Sequence, residues 1–180
     1  MAINAGVGVA EDFTRDNDLA DELGLIGLNT GAVHLARRVL PETVAAGRGG
    51  VLFTSSIAAT APGPYHATYA ASKAFLLSFA ETLRYELRDT GVTVTALLPG
   101  PTDTEFFDRA GMQGTKLREE TAKDDPAEVA REGFEALMAG KDHVVAGSMK
   151  NETQVPAGRI MPETAKAATQ ARQTEPGSGS

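Results

Sequence analysis

The chain contains no cysteine among its 180 residues. This absence excludes disulfide bonds, thiolate metal sites and a cysteine nucleophile. Long apolar runs are also missing, since no stretch approaches the roughly 20 apolar residues that a membrane-spanning helix needs. The N-terminus lacks the basic region and the long apolar core of a secretory signal. The sequence therefore predicts a cytoplasmic protein with no membrane partner.

Positive charge is scarce as well. The chain has 17 Lys and Arg residues against 24 Asp and Glu residues, which gives a net charge of −7. Lys and Arg form no cluster, so we expect no nucleic-acid partner. The histidines His34, His66 and His143 show no metal-ligand spacing. We predict no metal site and interpret all three histidines as surface or packing residues.

The pattern of apolar residues predicts an α/β fold. Turn-forming residues bound β-branched or apolar segments that predict buried strands at residues 51–54, 92–98 and 143–146. Apolar residues at helical spacing predict helices over residues 18–46, 66–89 and 125–140. Asp125 followed by Pro126 is typical of a helix start. Helices that alternate with strands indicate a parallel sheet flanked by helices.

The chain turns polar after Gly147. We predict one α/β domain over residues 1–150 and a C-terminal extension over residues 151–180. The extension contains a short helix around residues 162–172 and a flexible tail from Glu175. Asn151 begins a glycosylation sequon, which has no meaning in a protein that is not secreted.

The segment from Thr54 to Lys73 is dense in reactive side chains. Tyr69 and Lys73 are four positions apart, so on a helix they share one face. Ser56 ends a predicted strand, and ligands bind at that end of open α/β sheets. An ammonium group lowers the pKa of a nearby phenol, which lets Tyr69 exchange a proton with a substrate oxygen. The spacing equally suits a ring at the core edge beside a solvated lysine, and these residues alone leave both interpretations open.

Several features, in this order, resemble the short-chain dehydrogenase/reductase family. The Tyr-x-x-x-Lys motif of the family matches Tyr69 and Lys73, and its serine at the end of the preceding strand matches Ser56. An asparagine in the helix before that strand matches Asn29, and a Pro-Gly-x-x-x-Thr motif matches residues 99–104. The resemblance implies a Rossmann-like doubly wound sheet, of which this chain holds the C-terminal half.

The first residues of the chain match another family motif. Gly6-Val7-Gly8-Val9-Ala10-Glu11 is one residue away from the dinucleotide fingerprint G-x-G-x-x-G. The resemblance instead places Asn4, Ala5 and Gly6 on the Asn-Asn-Ala-Gly motif that ends the fourth strand of the family, with Ile3 in place of the first asparagine. The near match to the fingerprint is then a coincidence.

The resemblance assigns a role to each candidate catalytic residue. Tyr69 is the general acid and base, and Lys73 lowers the pKa of Tyr69 and holds the nicotinamide ribose. Ser56 binds the substrate oxygen, and Asn29 positions a water molecule in a proton relay. For Asn29 the alternative is a polar residue that caps or kinks a glycine-rich helix. The implied reaction interconverts a small-molecule carbonyl and an alcohol, with the hydride supplied by a nicotinamide cofactor.

The resemblance also implies binding residues for NAD or NADP. They are Asn4, Ala5, Gly6, Tyr69, Lys73, Pro99, Gly100, Thr102 and Thr104. Phe106 and Phe107 fall where the family has its substrate loop, and they either line the substrate pocket or pack the loop down. Met112 has the same two interpretations.

The Thr-Gly-x-x-x-Gly-x-Gly motif of the family is missing from these 180 residues. This motif holds the cofactor pyrophosphate at a helix N-terminus, so we expect impaired cofactor binding. Three interpretations follow: an NAD(P)-dependent oxidoreductase, a truncated homologue without catalysis, or a natural protein longer than this sequence. The family often forms dimers through the helices that here cover residues 18–46 and 66–89, so we expect a homo-oligomer.

Overall fold

The computed structural model describes residues 1–10, 12–15, 18–148, 151 and 161–179. The strands of the described ranges are β1 (Ala2–Ile3), β2 (Gly49–Thr54), β3 (Val92–Pro99) and β4 (His143–Ala146). They form one parallel sheet in the order β1-β2-β3-β4. The helices of the described ranges are α1 (Leu19–Thr30), α2 (Ala32–Ala45), α3 (Ala67–Glu86), α4 (Phe106–Arg109), α5 (Lys116–Glu119), α6 (Pro126–Met138) and α7 (Glu163–Thr174). The α/β fold class predicted from the sequence is confirmed.

The register of the sheet brings the carboxyl ends of the strands to one edge. β2 pairs with β3 along its whole length, from Gly49 opposite Val92 to Thr54 opposite Leu97. β1 adds a short pairing on the other side of β2, with Ile3 opposite Phe53. Because all pairs are parallel, the loops that follow β1, β2 and β3 leave the sheet at the same edge.

Alternate residues of β2 pack against helices on opposite faces of the sheet. Val51 and Phe53 belong to a buried cluster with residues of α2 and α3. Leu52 points to the other face, where it joins a smaller cluster with Val129 and Leu137 of α6. Side chains alternate along a strand, so this apolar run is buried on both faces, as is usual for a parallel sheet.

The long helix predicted over residues 18–46 is divided in two at Gly31. Asp18 caps α1, since its Oδ1 accepts a hydrogen bond from the Ala20 N–H at 2.8 Å. Gly31 donates its N–H to the carbonyl oxygens of Gly27 and Leu28, which tightens the last turn of α1 before α2 starts. The predicted start at Asp125 and Pro126 is confirmed, because Asp125 caps α6. No helix in the described ranges is long and apolar enough to cross a membrane.

The described part of the C-terminal region packs on the rest of the chain. α7 covers the helix predicted around residues 162–172. In the predicted tail, Gly179 donates its N–H to the Gly114 carbonyl oxygen at 2.9 Å, and the Ser178 hydroxyl accepts from the Lys116 N–H at 3.1 Å. Ser178 and Gly179 thus contact the segment that leads into α5. The division of the chain at residue 150 stays a prediction.

Candidate active site

The carboxyl ends of β1, β2 and β3 surround a cavity of about 1000 Å³. Most residues that the sequence places in a site line this cavity: Asn4, Gly6, Ser56, Tyr69, Lys73, Pro99, Gly100, Thr102, Thr104, Phe106 and Phe107. Ala5 and Asn29 are the predicted site residues that do not line it. The topology therefore brings side chains from four separate segments around one space.

Tyr69 and Lys73 lie one turn apart on α3, as their spacing predicts. The Lys73 Nζ atom is 5.7 Å from the centre of the Tyr69 ring and donates a hydrogen bond to the Thr54 carbonyl oxygen at 3.0 Å. Lys73 is only 4% exposed, so the interpretation of this residue as a solvated lysine is wrong. Ser56 follows β2 and forms a hydrogen bond with Tyr69. Of these three side chains Lys73 is buried, while Ser56 and Tyr69 are partly buried on the cavity wall.

Burial controls the ionisation of both members of the Tyr-Lys pair. It raises the pKa of Tyr69 to about 12, while the hydrogen bond with Ser56 lowers that pKa by a smaller amount. Burial also lowers the pKa of Lys73 to about 8. The sequence predicts a lowered Tyr69 pKa, and this direction is wrong. The cost of burying the charged phenolate is larger than the stabilisation that the Ser56 hydrogen bond gives it. At neutral pH Tyr69 keeps its proton and Lys73 is mostly charged.

The buried lysine gives folding stability a testable dependence on pH. The unfolded chain keeps the Lys73 proton up to the ordinary pKa of 10.5, whereas the folded chain releases it near 8. Between these values the unfolded state binds more protons, so the free energy of unfolding rises with pH. Between about pH 7.5 and about pH 9.5 we expect a rise of about 2 kcal/mol that Lys73→Met lacks.

Urea unfolding of both proteins at the two pH values measures this difference. Groups other than Lys73 titrate equally in both, so they cancel in the comparison. Lys116→Met, at an exposed lysine, is the matched control and keeps the rise of the unchanged chain. An equal rise in the unchanged chain and in Lys73→Met would show that the Lys73 pKa is not lowered by folding.

Asn29 connects the loop after β1 to α3. Its Oδ1 accepts from the Val7 N–H at 3.0 Å, and its Nδ2 donates to the Val7 carbonyl oxygen at 3.1 Å and to the Ser72 hydroxyl at 2.8 Å. The Ser72 hydroxyl in turn donates to the Tyr69 carbonyl oxygen at 2.7 Å. Asn29 is fully buried and all its amide groups bond across to other segments. Its side chain therefore joins elements around the site and does not cap its own helix.

The glycines of the first loop permit close approach to the site. A Cβ on Gly6 would lie 3.0 Å from Lys73 Nζ and 3.2 Å from Asn29 Oδ1. A Cβ on Gly8 would lie 2.7 Å from the Phe106 ring. The Gly6-Val7-Gly8 spacing that resembles a nucleotide fingerprint is thus explained by packing against Lys73 and Phe106.

The predicted substrate loop both lines the cavity and packs down. The Phe106 ring lies 5.2 Å from the Tyr69 ring, measured between centres, and 5.7 Å from the Phe107 ring. Phe107 and Met112 are buried in one cluster with Ala10 and also line the cavity. These residues therefore pack the loop down and also line the cavity, and their contact with a substrate stays a prediction.

The threonines of the segment after β3 are held by local hydrogen bonds. The Thr102 hydroxyl donates to the Gly100 carbonyl oxygen at 3.0 Å, and the Thr104 hydroxyl accepts from the Phe106 N–H at 3.3 Å. The Asn151 amide packs directly on Gly100, since a Cβ there would lie 2.0 Å from Asn151 Nδ2. Gly100 is thus the residue type that this contact requires.

Sequence reasoning missed several residues of the cavity wall, among them His66, Asn151, Gln170 and Gln173. His66 is 8% exposed, so it is not a surface residue, and its position just before α3 places it beside Tyr69. Its nearness to Tyr69 in the sequence was the available signal. The glutamines lie in a region that the sequence shows only as a polar helix, so no pattern could assign them to this site.

The fold and the site define a parallel α/β protein with a Tyr-Lys pair at the carboxyl edge of its sheet. A sequence model described as short chain dehydrogenase matches residues 1–115. Sulfoacetaldehyde reductase 2 of Chromohalobacter salexigens is 40% identical over 105 residues, which are 57% of this chain and 42% of that protein. An uncharacterised oxidoreductase of Myxococcus xanthus is 46% identical over 109 residues, 59% of this chain and 42% of that protein.

Solved structures agree with this relationship. A short-chain dehydrogenase from Burkholderia cenocepacia, solved in complex with NADP, superimposes with a TM-score of 0.77 at 26% identity. The alignment covers 96% of this chain and 69% of that chain. The protein belongs to the short-chain dehydrogenase family. It spans less than half the length of the curated relatives named above.

Proposed function

We propose that the protein is an NAD(P)-dependent oxidoreductase that interconverts a small-molecule carbonyl compound and an alcohol. The observation that carries this proposal is the group of Ser56, Tyr69 and buried Lys73 on the wall of a cavity of about 1000 Å³. Such a group can exchange a proton with an oxygen atom of a molecule in the cavity. Its family membership supports the redox class of the reaction.

The protonation states of Tyr69 and Lys73 at neutral pH favour carbonyl reduction as the direction of the reaction. With a pKa near 12, Tyr69 holds its proton at neutral pH and donates it to the oxygen of a reduced carbonyl. Ser56 donates its hydroxyl proton to the same oxygen and orients it. The Lys73 ammonium stabilises the negative charge that Tyr69 acquires after the transfer. Tyr69, Lys73 and Ser56 are the proposed catalytic residues, and Asn29 holds Ser72 and the first loop in place.

The residues of this wall fit the nicotinamide end of a cofactor. When bound, NAD(P)H supplies the hydride. Lys73 uses one hydrogen bond on Thr54, which leaves donors for ribose hydroxyls. Asn4, Gly6, Pro99, Gly100, Thr102 and Thr104 line the same wall, and Ala5, between Asn4 and Gly6, completes the proposed set. Among the described residues that line the cavity, no glycine-rich turn opens a long helix, the feature that holds pyrophosphate in this fold class.

Cofactor affinity of the 180-residue chain is therefore expected to be low. A helix N-terminus that follows a glycine-rich turn contributes much of the affinity for a pyrophosphate, and the described residues of the cavity wall supply no such turn. We expect calorimetry to find a dissociation constant for NADPH and NADH above roughly 100 μM, about −5 kcal/mol or weaker. Micromolar binding by the purified chain would contradict this expectation.

A matched substitution tests whether Lys73 and the first loop act as proposed. In Gly6→Ala the new methyl group lies 3.0 Å from Lys73 Nζ, so the ammonium has to move away from the Thr54 carbonyl oxygen. We expect turnover of NAD(P)H with a carbonyl substrate to fall about tenfold, since small displacements of a positioning group are costly.

Gly24→Ala is the control for this substitution. No atom lies within 4 Å of a Cβ at Gly24, which is on the exposed side of α1. This variant keeps its turnover and gains up to about 1 kcal/mol of stability, because alanine favours helix over glycine. Unchanged turnover in Gly6→Ala would mean that Lys73 does not need its present position.

The second candidate function is association through helices without catalysis. It is favoured by exposed apolar side chains that α1 and α3 present together: Leu19, Leu23, Ile26 and Phe75. The same helix faces support the proposal of a homo-oligomer. Size-exclusion chromatography with light scattering, run beside an NAD(P)H assay, separates the two functions. A stable oligomer without turnover favours association alone, and turnover that Tyr69→Phe abolishes excludes it.

A cytoplasmic location stays a prediction.

A further inference from the structure

We propose that Ser55 is a positioning residue that fixes Lys73 in the candidate active site. Its hydroxyl group acts through the main chain of that lysine. The inference rests on the proposed function for the role of Lys73 in the reaction. It is carried by the hydrogen bonds of three consecutive residues at the end of β2, which are Thr54, Ser55 and Ser56.

The end of β2 holds Lys73 at both of its ends. The Ser55 hydroxyl donates to the Lys73 carbonyl oxygen at 2.7 Å. The Lys73 ammonium donates to the Thr54 carbonyl oxygen at 3.0 Å. Thr54 and Ser55 are adjacent in the chain, so one short segment fixes both the main chain and the charged atom of this lysine. The next residue, Ser56, forms a hydrogen bond with Tyr69.

Ser55 is itself firmly placed. Its main-chain N–H donates to the Leu97 carbonyl oxygen of β3 at 2.8 Å, which continues the pairing of β2 and β3 beyond Thr54. The residue is 2% exposed. Groups on the strands of a fold hold their partners more precisely than groups on loops. Ser55 therefore connects the sheet to α3 at the level of Lys73.

The helix α3 does not need this hydrogen bond in order to form. Lys73 lies within α3, and a carbonyl oxygen inside an α-helix accepts from the N–H four residues later. A carbonyl oxygen has two lone pairs, so the Ser55 hydroxyl adds a second bond. Removal of the hydroxyl group thus leaves no buried carbonyl oxygen without a partner. The contribution of the bond is a fixed position of α3 relative to β2.

The ammonium group of Lys73 depends on such a fixed position. Lysine has a flexible stem of four carbons, so its charged atom is well placed only when both ends of the residue are held. The space is narrow, since a Cβ on Gly6 would lie 3.0 Å from Lys73 Nζ. Thr54 and Gly6 carry no side-chain charge, and Tyr69 is the titratable side chain beside the ammonium. Burial is the cause of the lowered Lys73 pKa, so this pKa reports how deeply the ammonium is held.

Ser55→Ala tests this role without turnover. The full chain is labelled with a carbon isotope at Cε of its lysines, nuclear magnetic resonance follows their titration, and Lys73→Met assigns the signal of Lys73. In the unchanged chain this signal titrates near pH 8. In Ser55→Ala we expect the titration to move toward the ordinary value of 10.5, with a proton dissociation constant at least about threefold smaller, because the released ammonium is less buried.

Thr95→Val is the matched control. Thr95 is fully buried in β3 and does not line the cavity, and its hydroxyl donates to the Lys141 carbonyl oxygen at 2.6 Å. That carbonyl oxygen also accepts from the Arg84 guanidinium at 3.2 Å, so it keeps a partner in the variant. The control removes the same kind of buried hydrogen bond and leaves the Lys73 titration where it is.

Turnover shows whether the position of Lys73 matters for the reaction. We expect Ser55→Ala to lower kcat for NAD(P)H-dependent carbonyl reduction about tenfold, as small displacements of a positioning group do. KM should stay within about twofold because Ser56 still binds the substrate oxygen, and Thr95→Val should keep both constants. An unmoved Lys73 titration in Ser55→Ala, an equal movement in Thr95→Val, or an unchanged kcat in Ser55→Ala would each overturn the inference.

The titration separates the inference from the proposed function, because it needs neither cofactor nor turnover. A moved Lys73 signal in a chain that reduces no carbonyl compound keeps Ser55 as the residue that holds Lys73 and rejects the oxidoreductase. Reduction at the unchanged rate by Ser55→Ala, with an unmoved Lys73 signal, keeps the oxidoreductase and rejects the role of Ser55.

Discussion

Tyr69→Phe is expected to lower kcat for NAD(P)H-dependent carbonyl reduction by roughly 10²–10⁴-fold, the usual contribution of a general acid. The substitution removes one hydroxyl group and keeps the ring, whose centre lies 5.2 Å from that of the Phe106 ring. KM should change little, because Ser56 still binds the substrate oxygen. Initial rates of cofactor oxidation at saturating cofactor measure the effect.

Tyr85→Phe is the matched control for this prediction. Tyr85 lies on the same helix, is 69% exposed and packs against Arg88 outside the cavity. Its loss of a hydroxyl group should leave kcat within a factor of two or so, as expected for a surface change. Tyr69→Phe activity within tenfold of the unchanged chain would mean that another group supplies the proton.

Phe53→Ala is expected to destabilise the fold by roughly 3–5 kcal/mol. Phe53 is fully buried in β2 and meets Phe79 edge to face, with ring centres 5.7 Å apart and an angle of 84° between the planes. Its removal leaves a cavity between the sheet and α3, and α3 carries Tyr69 and Lys73. Since small proteins have a total stability of about 5–15 kcal/mol, this loss is a large share of it.

Urea unfolding followed by circular dichroism measures the loss. Phe134→Ala makes the same change on α6 at a side chain that is 61% exposed, and it should cost no more than about 0.5 kcal/mol. A loss for Phe53→Ala close to that of the control would show that the sheet and α3 do not pack as described. Activity measured at low urea should fall together with the folded fraction.

The main elements of this fold could be predicted from the sequence because their signals are local. The strands at residues 51–54 and 92–98 are β-branched and bounded by glycine, and Asp125-Pro126 marks a helix start that the structure has. The break at Gly31 could not be predicted, since helical spacing of apolar residues continues through it. β1 is too short for any pattern of its own and is held by its pairing with β2.

The residues of the candidate site differ in how far the sequence could predict them, and the difference has a physical reason. Tyr69 and Lys73 are four positions apart, so their spacing places them on one face of a helix, whereas the family resemblance was needed to add Ser56. The directions of their pKa shifts depend on burial by distant segments, which is why the expected lowering of the Tyr69 pKa was wrong. Gln170 and Gln173 reach the cavity through the contact between Thr174 and Pro64, which joins residues 110 positions apart. A local sequence pattern cannot indicate a contact between residues so far apart in the chain.

Transfer of a labelled hydride tests the central proposal most directly. The 180-residue chain is incubated with a neutral ketone and millimolar NADPH or NADH that carries deuterium at the transferable position of the nicotinamide, and the alcohol product is analysed by mass spectrometry. We expect an alcohol with one deuterium on its carbinol carbon from the unchanged chain and from Tyr85→Phe, and at least about a hundredfold less of it from Tyr69→Phe. No labelled alcohol from the unchanged chain, or equal amounts from Tyr69→Phe, would contradict it.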